Sequence, residues 1–244
     1  MITYSDKELQ IMERMVFVLK NSMLSFFGGV YNTEELKSFY IGGSYFSNLY
    51  NFFGRHPEFI EADMKKFRKQ YLAEYPGTDL DIYVNAISFG DWKMKTSKIL
   101  KEYHSTWCYD TVDRDTALWE DRYKNISQLI NVKDKNCVVN DIQIIQCEFG
   151  PPEEVFARFD CEHSKIAYNV GKAKFEMFGN SWDAVINRKL IMNCDNNRTR
   201  HPHERVEKLK SRNWNHIELF GSESAVAKCT IVKKEAWEDD EIPF

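Results

Sequence analysis

The chain has 244 residues, 43% of them hydrophobic, and a formal charge of −4, which supplies ample material for a core and excludes an evenly basic coat for nucleic acid. No stretch approaches the roughly 20 uncharged apolar residues that cross a bilayer, and the opening MITYSDKELQ lacks the basic-then-apolar order of a secretory signal, so a cytoplasmic setting without membrane contact is expected. Six cysteines (Cys108, Cys137, Cys147, Cys161, Cys194 and Cys229) include no CxxC pair, which points to reduced thiols rather than a zinc site or a disulfide-linked partner.

Along the chain, residues 5–27 carry Ile11, Met15, Val18 and Leu19 at helical spacing, with Ser5 or Asp6 placed to cap, and predict an N-terminal amphipathic helix. Phe39-Tyr40-Ile41 then reads as a short strand that stops at Gly42-Gly43-Ser44, and YFSNLYNFF resumes helical spacing. A strand, a glycine turn and a helix in that order have a physical use. The first N–H groups of a helix lack partners and carry partial positive charge, and glycines let a phosphate approach the backbone. An ordinary tight turn is the alternative reading.

Residues 57–75 predict a further helix, with Lys65, Lys66, Arg68 and Lys69 on a face that is either solvated or in contact with phosphate. Pro76-Gly77 stops it, and TDLDIYVNAISF reads as a strand. Alternation along that strand sends Asp79 and Asp81 to one side and Leu80 and Ile82 to the other. Two carboxylates so close repel each other unless a cation neutralises them, and Mg²⁺ favours such oxygens. A solvent-facing edge strand is the alternative.

Gly42-Gly43-Ser44 at a helix start, followed by Asp-apolar-Asp-apolar on the next strand, resembles the signature of the polymerase-beta-like nucleotidyltransferase superfamily. The resemblance implies an α/β (α+β) nucleotidyltransferase fold, with a small mixed sheet flanked by helices. It implies that Gly42, Gly43 and Ser44 hold the triphosphate of an NTP, and that Asp79 and Asp81 bind two Mg²⁺ or Mn²⁺ ions. Members of the superfamily usually place the acids sooner, whereas 34 residues separate Ser44 from Asp79 here, making the 57–75 helix an insertion. The superfamily also needs a third acid on a later strand. VVNDIQIIQC offers Asp141, whose setting is similar to that of the polymerase branch. Asp160, which shares a face with Glu162 if VFARFDCEHSKIAYN is extended, is the alternative. The segment PPEEVFARFD, a helix opened by proline, looks like an element of viral and phage proteins of this type, so a host cytoplasm is expected if the chain is phage-encoded.

The remaining segments read as helical: DWKMKTSKILKEYHSTW, DTALWEDRYKNISQLINV and SWDAVINRKLIMN. NNRTRHPHERVEKLKSRNWNH is the most basic stretch. Pro202 opens a helix there that aligns Arg205, Lys208 and Arg212, a cationic face suited to a triphosphate or an RNA backbone. The whole is read as one domain over 1–244, with a helical and basic C-terminal part from about 181. The expected activity is NMP transfer from an NTP to a hydroxyl acceptor, an RNA or tRNA end foremost, with pyrophosphate released. The alternatives are a catalytically inactive module of the same fold, or transfer to a protein or small molecule.

Overall fold

The computed structural model describes residues 4–21, 36–85, 107–112, 126–134, 141–147, 152–196, 202–214 and 216–230. Helix α1 (Asp6–Leu19) begins where the sequence expects. The Ser5 hydroxyl accepts from the Glu8 N–H at 3.3 Å while the Glu8 carboxylate accepts from the Ser5 N–H at 2.6 Å, a reciprocal capping box. Its buried stripe is Ile11, Met15, Val18 and Leu19. Strand β1 (Phe39–Gly42) leads directly into α2 (Ser44–Arg55). Tyr45, Phe46, Leu49, Phe52 and Phe53 recur at helical spacing along α2, and all are fully buried.

The helix predicted over 57–75 divides in two. A 3-10 turn spans Pro57–Phe59, and α3 (Met64–Glu74) restarts after Asp63, whose carboxylate caps the Lys66 N–H at 2.9 Å. Strand β2 (Asp79–Asn85) follows. Then come β3 (Trp107–Val112), β4 (Ile126–Asp134) and β5 (Asp141–Cys147), α4 (Pro152–Ala157), a 3-10 turn at Glu162–Ser164, β6 (Ile166–Asn169) and β7 (Lys174–Met177). The chain continues through α5 (Ser181–Ile186), β8 (Lys189–Asn193), a 3-10 turn at Cys194–Asn196, α6 (Pro202–Ser211), β9 (His216–Phe220) and α7 (Glu223–Thr230).

This is a mixed α/β structure. Seven of the described strands form a sheet in the order β3-β4-β5-β2-β1-β6-β7, with only β2 and β5 parallel, and β8 and β9 form a separate parallel pair. One face of the large sheet is the main core. Leu80, Ile82 and Val84 of β2 meet Phe39, Ile41, Ile166, Tyr168 and the apolar sides of α1, α2 and α3. The opposite face carries a smaller cluster of Tyr40, Tyr83, Ile145, Phe156 and Ala167.

Four segments depart from the sequence expectations. ISQLINV, read as helical, is strand β4, and Trp107 opens strand β3 rather than closing a helix. Ile126, Leu129 and Ile130 follow the i, i+3, i+4 spacing of a helix, and it is the ladder between β4 and β5 that makes the segment a strand. SWDAVINRKLIMN is helix only to Ile186. Arg188 adopts a left-handed φ of 51°, and the chain then turns into β8, which pairs with β9. Glu162 opens a 3-10 turn, so the extended pairing of Asp160 with Glu162 does not occur. Residues 86–106, 113–125 and the acidic end 231–244 lie outside the described residues.

Candidate functional site

The two glycines of the turn meet different constraints. Gly42 ends β1 with the Phe156 ring laid on it, so that a Cβ there would stand 2.4 Å from the ring edge. Gly43 has φ 78° and ψ −162°, a region that is essentially glycine's alone. A Cβ at Gly43 would stand 2.8 Å from Asp81 Oδ2. The glycine turn and the second aspartate are therefore in contact, although 37 residues of sequence divide them. Ladder geometry is the cause, since β1 pairs with β2 antiparallel and Gly42 lies opposite Asp81. No side chain caps the start of α2; Ser44 is half-buried there, and its carbonyl accepts from the Ser47 hydroxyl at 3.0 Å. The turn that starts α2 thus lies against the Asp81 carboxylate.

Asp79 is exposed and Asp81 half-buried, while Leu80 and Ile82 between and after them are fully buried, as alternation requires. The Asp81 carboxyl is pushed up to about 7, by burial first and then by the like charge of Asp79, against the pull of Arg205. On the other side of β2, the parallel ladder sets Asp141 in register with Asp79 and Gln143 with Asp81. The Asp141 side chain itself lies outside the described residues. Among the described residues, no group of three or more His, Cys, Asp and Glu side chains comes together to hold a metal ion. The described pair nevertheless fits a hard divalent cation in its chemistry: two carboxylates share one side of a strand, and one is raised by burial and by its neighbour's charge.

Helix α6 brings the cations. Pro202 stands at its first turn, and Val206 and Leu209 anchor it to the core. Arg205 lowers the Asp81 carboxyl, while Asp79 opposes the lowering of both Lys208 and Arg212, so the three cations sit within electrostatic reach of the acid pair. Their roles differ. Arg205 is engaged side-on by Asp160, with Nε to Oδ2 at 2.6 Å and Nη2 donating to Oδ1 at 2.7 Å. Arg212, just past the helix, is only 7% exposed, its guanidinium reaching toward the Pro76 carbonyl and its own carbonyl accepting from Asn51 Nδ2 at 3.0 Å. Lys208 is exposed, and among the described residues it has no ion-pair partner.

Sequence reasoning missed two features of this neighbourhood. One is the bond between Asp160 and Arg205, whose 45-residue separation leaves no local signal. The other is His163, fully buried and stacked on Trp214 at 4.1 Å between ring centres, with neither ring nitrogen partnered among the described residues. Burial, then Arg205 and Arg212, push the His163 imidazole down to about 3, so it is neutral at ordinary pH.

No protein-family model matches the chain, and no curated protein or solved structure does so either. No helix among the described residues is long and apolar enough to cross a membrane, and Cys161, Cys194 and Cys229 are buried and not in disulfides.

Proposed function

We propose that this chain is a metal-dependent nucleotidyltransferase that moves an NMP from an NTP to a hydroxyl acceptor and releases pyrophosphate. The observation that carries the reading is the contact of the Gly43 backbone with the Asp81 carboxylate. It joins a phosphate-accepting helix start to a cation-accepting acid pair at one point. The alignment of Asp79 with the Asp141 position adds to it, as does the cationic face of α6 beside the acids.

Asp79 and Asp81, with Asp141, would hold two Mg²⁺ or Mn²⁺ ions. When bound, such ions neutralise charge on the α-phosphate and make the acceptor hydroxyl easier to deprotonate. The residues of the chain do the rest. Gly42, Gly43 and the Ser44 N–H receive the β- and γ-phosphates at the start of α2, where fixed N–H dipoles meet the anion without reorganising. Lys208 and the free edge of Arg205 offset the triphosphate charge, and Arg212 supports them from a buried position. As the acceptor oxygen bonds to the α-phosphorus, the bond to pyrophosphate breaks and the hydroxyl proton passes to Asp141 or to water. An RNA end is the favoured acceptor because the exposed cations of α6 suit a polyphosphate chain.

The test is to incubate the protein with Mg²⁺ or Mn²⁺, each of the four α-labelled NTPs and total cellular RNA, beside the double variant Asp79→Ala/Asp81→Ala. Label entering RNA with the wild type alone is the expected result. Label on protein or on a small molecule would move the acceptor, and no incorporation or pyrophosphate release from any NTP would leave a binding module of this fold.

A further inference from the structure

The side of β2 that carries Asp79 and Asp81 also carries Tyr83, two residues further along the strand. There the carboxylates give way to the smaller aromatic cluster. The Phe156 ring lies on Gly42, the residue before Gly43, so a ring edge stands at the glycine turn itself. Phe159 follows just past the end of α4, with its ring centre 5.1 Å from that of Phe156 and 5.8 Å from that of Tyr83. One aromatic side chain thus joins the strand of the acids to the ring on the glycine turn.

Burial separates these rings. Phe156 is fully buried and lies parallel to Phe178, with ring centres 4.9 Å apart, and Tyr83 is buried as well. Phe159 is half-buried. Among the described residues, the rings that touch it meet it at 50° and 64°, so neither is stacked flat on its face. Its backbone is fastened on both sides. The Phe159 N–H donates to the Phe156 carbonyl at 3.1 Å, and the Asp160 carbonyl accepts from the Asn193 N–H at 2.7 Å. The Asp160 carboxylate, the alternative third acid, is itself held by both of its bonds to Arg205. A ring positioned in this way loses little freedom when a flat partner arrives.

We propose that Phe159 is a nucleotide-binding residue whose ring stacks on the base of the NTP. The inference rests on the reading of the glycine turn as the triphosphate site. From Gly43 through Gly42 and Phe156 to Phe159, the contacts pass from backbone that accepts phosphate to an aromatic face. That is the order in which a nucleotide presents its phosphates, sugar and base. Stacking uses the flat face that every base has and needs no hydrogen-bonding edge. Phe159 therefore adds affinity for all four NTPs without choosing among them.

Calorimetry of the full chain in Mg²⁺ tests this with two kinds of ligand: non-hydrolysable analogues of the four NTPs, and inorganic tripolyphosphate, which has the phosphates and no base. Phe159→Ala removes the ring. Its expected effect is a roughly tenfold weaker Kd for each of the four analogues, with the Kd for tripolyphosphate within about twofold of wild type. Should Phe159→Ala fail to fold, as judged by circular dichroism, Phe159→Leu carries the test. It keeps apolar bulk against Phe156 and Tyr83 but has no flat face, and is expected to weaken the analogues at least about threefold while sparing tripolyphosphate. Analogue binding unchanged in the folded variant would overturn the inference. Equal weakening of the analogues and of tripolyphosphate would also overturn it, making Phe159 a support of the turn rather than a contact to the base. Wild type that binds tripolyphosphate as tightly as the analogues would overturn the inference and spare the phosphate site. Wild type that binds neither ligand would overturn both the inference and the reading beneath it.

Discussion

At the scale of single residues, the site turns on a glycine that cannot be replaced and a carboxylate under strain. Gly43→Ala would force a left-handed φ of 78° on a residue with a Cβ, and would drive that Cβ to within 2.8 Å of Asp81 Oδ2. The expected cost is about 1–3 kcal/mol, measured by urea denaturation. Asp81→Asn should act in the opposite direction. The folded carboxyl sits at about 7 against 3.8 for an unperturbed group, so the folded state binds more protons and wild-type stability falls as pH rises from about 4 to 7. An amide carries no such loss. The variant is expected to be more stable than wild type by on the order of 1–3 kcal/mol at pH 8 in metal-free buffer, and equal to it near pH 3, in paired denaturation curves. A wild type as stable as Asp81→Asn at pH 8 would show that burial and the charge of Asp79 do not raise the Asp81 carboxyl in the folded state.

At the scale of elements, the parts of the chain that repeat local rules were readable and the parts that depend on distant pairing were not. The strand, glycine turn and helix from Phe39 to Arg55 could be read because a glycine break and a helical stripe are both local. The facing of Asp79 and Asp81 was readable for the same reason, since alternation needs only neighbours. ISQLINV looks helical because Ile126, Leu129 and Ile130 follow helical spacing, and the β5 partner that makes it a strand begins beyond it in sequence. KLIMN is a strand through its parallel partner, HIELF, which lies on the far side of α6 in sequence and leaves no local signal. The 3-10 turn at Glu162–Ser164 is another such case. It packs His163 among α2, α5 and β8, an environment no spacing rule describes. That burial has a measurable consequence. The unfolded imidazole takes a proton below 6.5 and the folded one only near 3, so this contribution is whole above about pH 6.5 and is lost as pH falls toward 3. His163→Phe keeps the stack on Trp214 and abolishes the titration. From pH 7 to pH 4 the wild type is expected to lose on the order of 3 kcal/mol more stability than the variant. Parallel curves for the two proteins would contradict a neutral buried His163.

At the scale of the whole molecule, the sheet order explains how separate segments of sequence meet. β2 is flanked by β1 and β5, so one strand carries two acids, one neighbour supplies the glycine turn and the other supplies the Asp141 position. α6 then lays its cations near this junction, 120 residues beyond the acids in sequence. A net charge of −4 hides this arrangement, because Arg205 is balanced by Asp160 and the exposed basic surface is local. Ligation at the junction should reach the whole fold by mass action. Mg²⁺ is expected to raise the Tm of the wild type, by an amount equivalent to about 2.7 kcal/mol at 100 times its Kd, and to leave Asp79→Ala/Asp81→Ala unmoved.

If the glycine turn and the acid pair form one site, a non-hydrolysable NTP and Mg²⁺ should bind there together. Calorimetry with and without Mg²⁺ on wild type, Gly43→Ala and Asp79→Ala/Asp81→Ala would measure it. Tight binding by the wild type only when Mg²⁺ is present, weakened by either variant, is the expected result. NTP binding that ignores Mg²⁺ and survives both variants would contradict it.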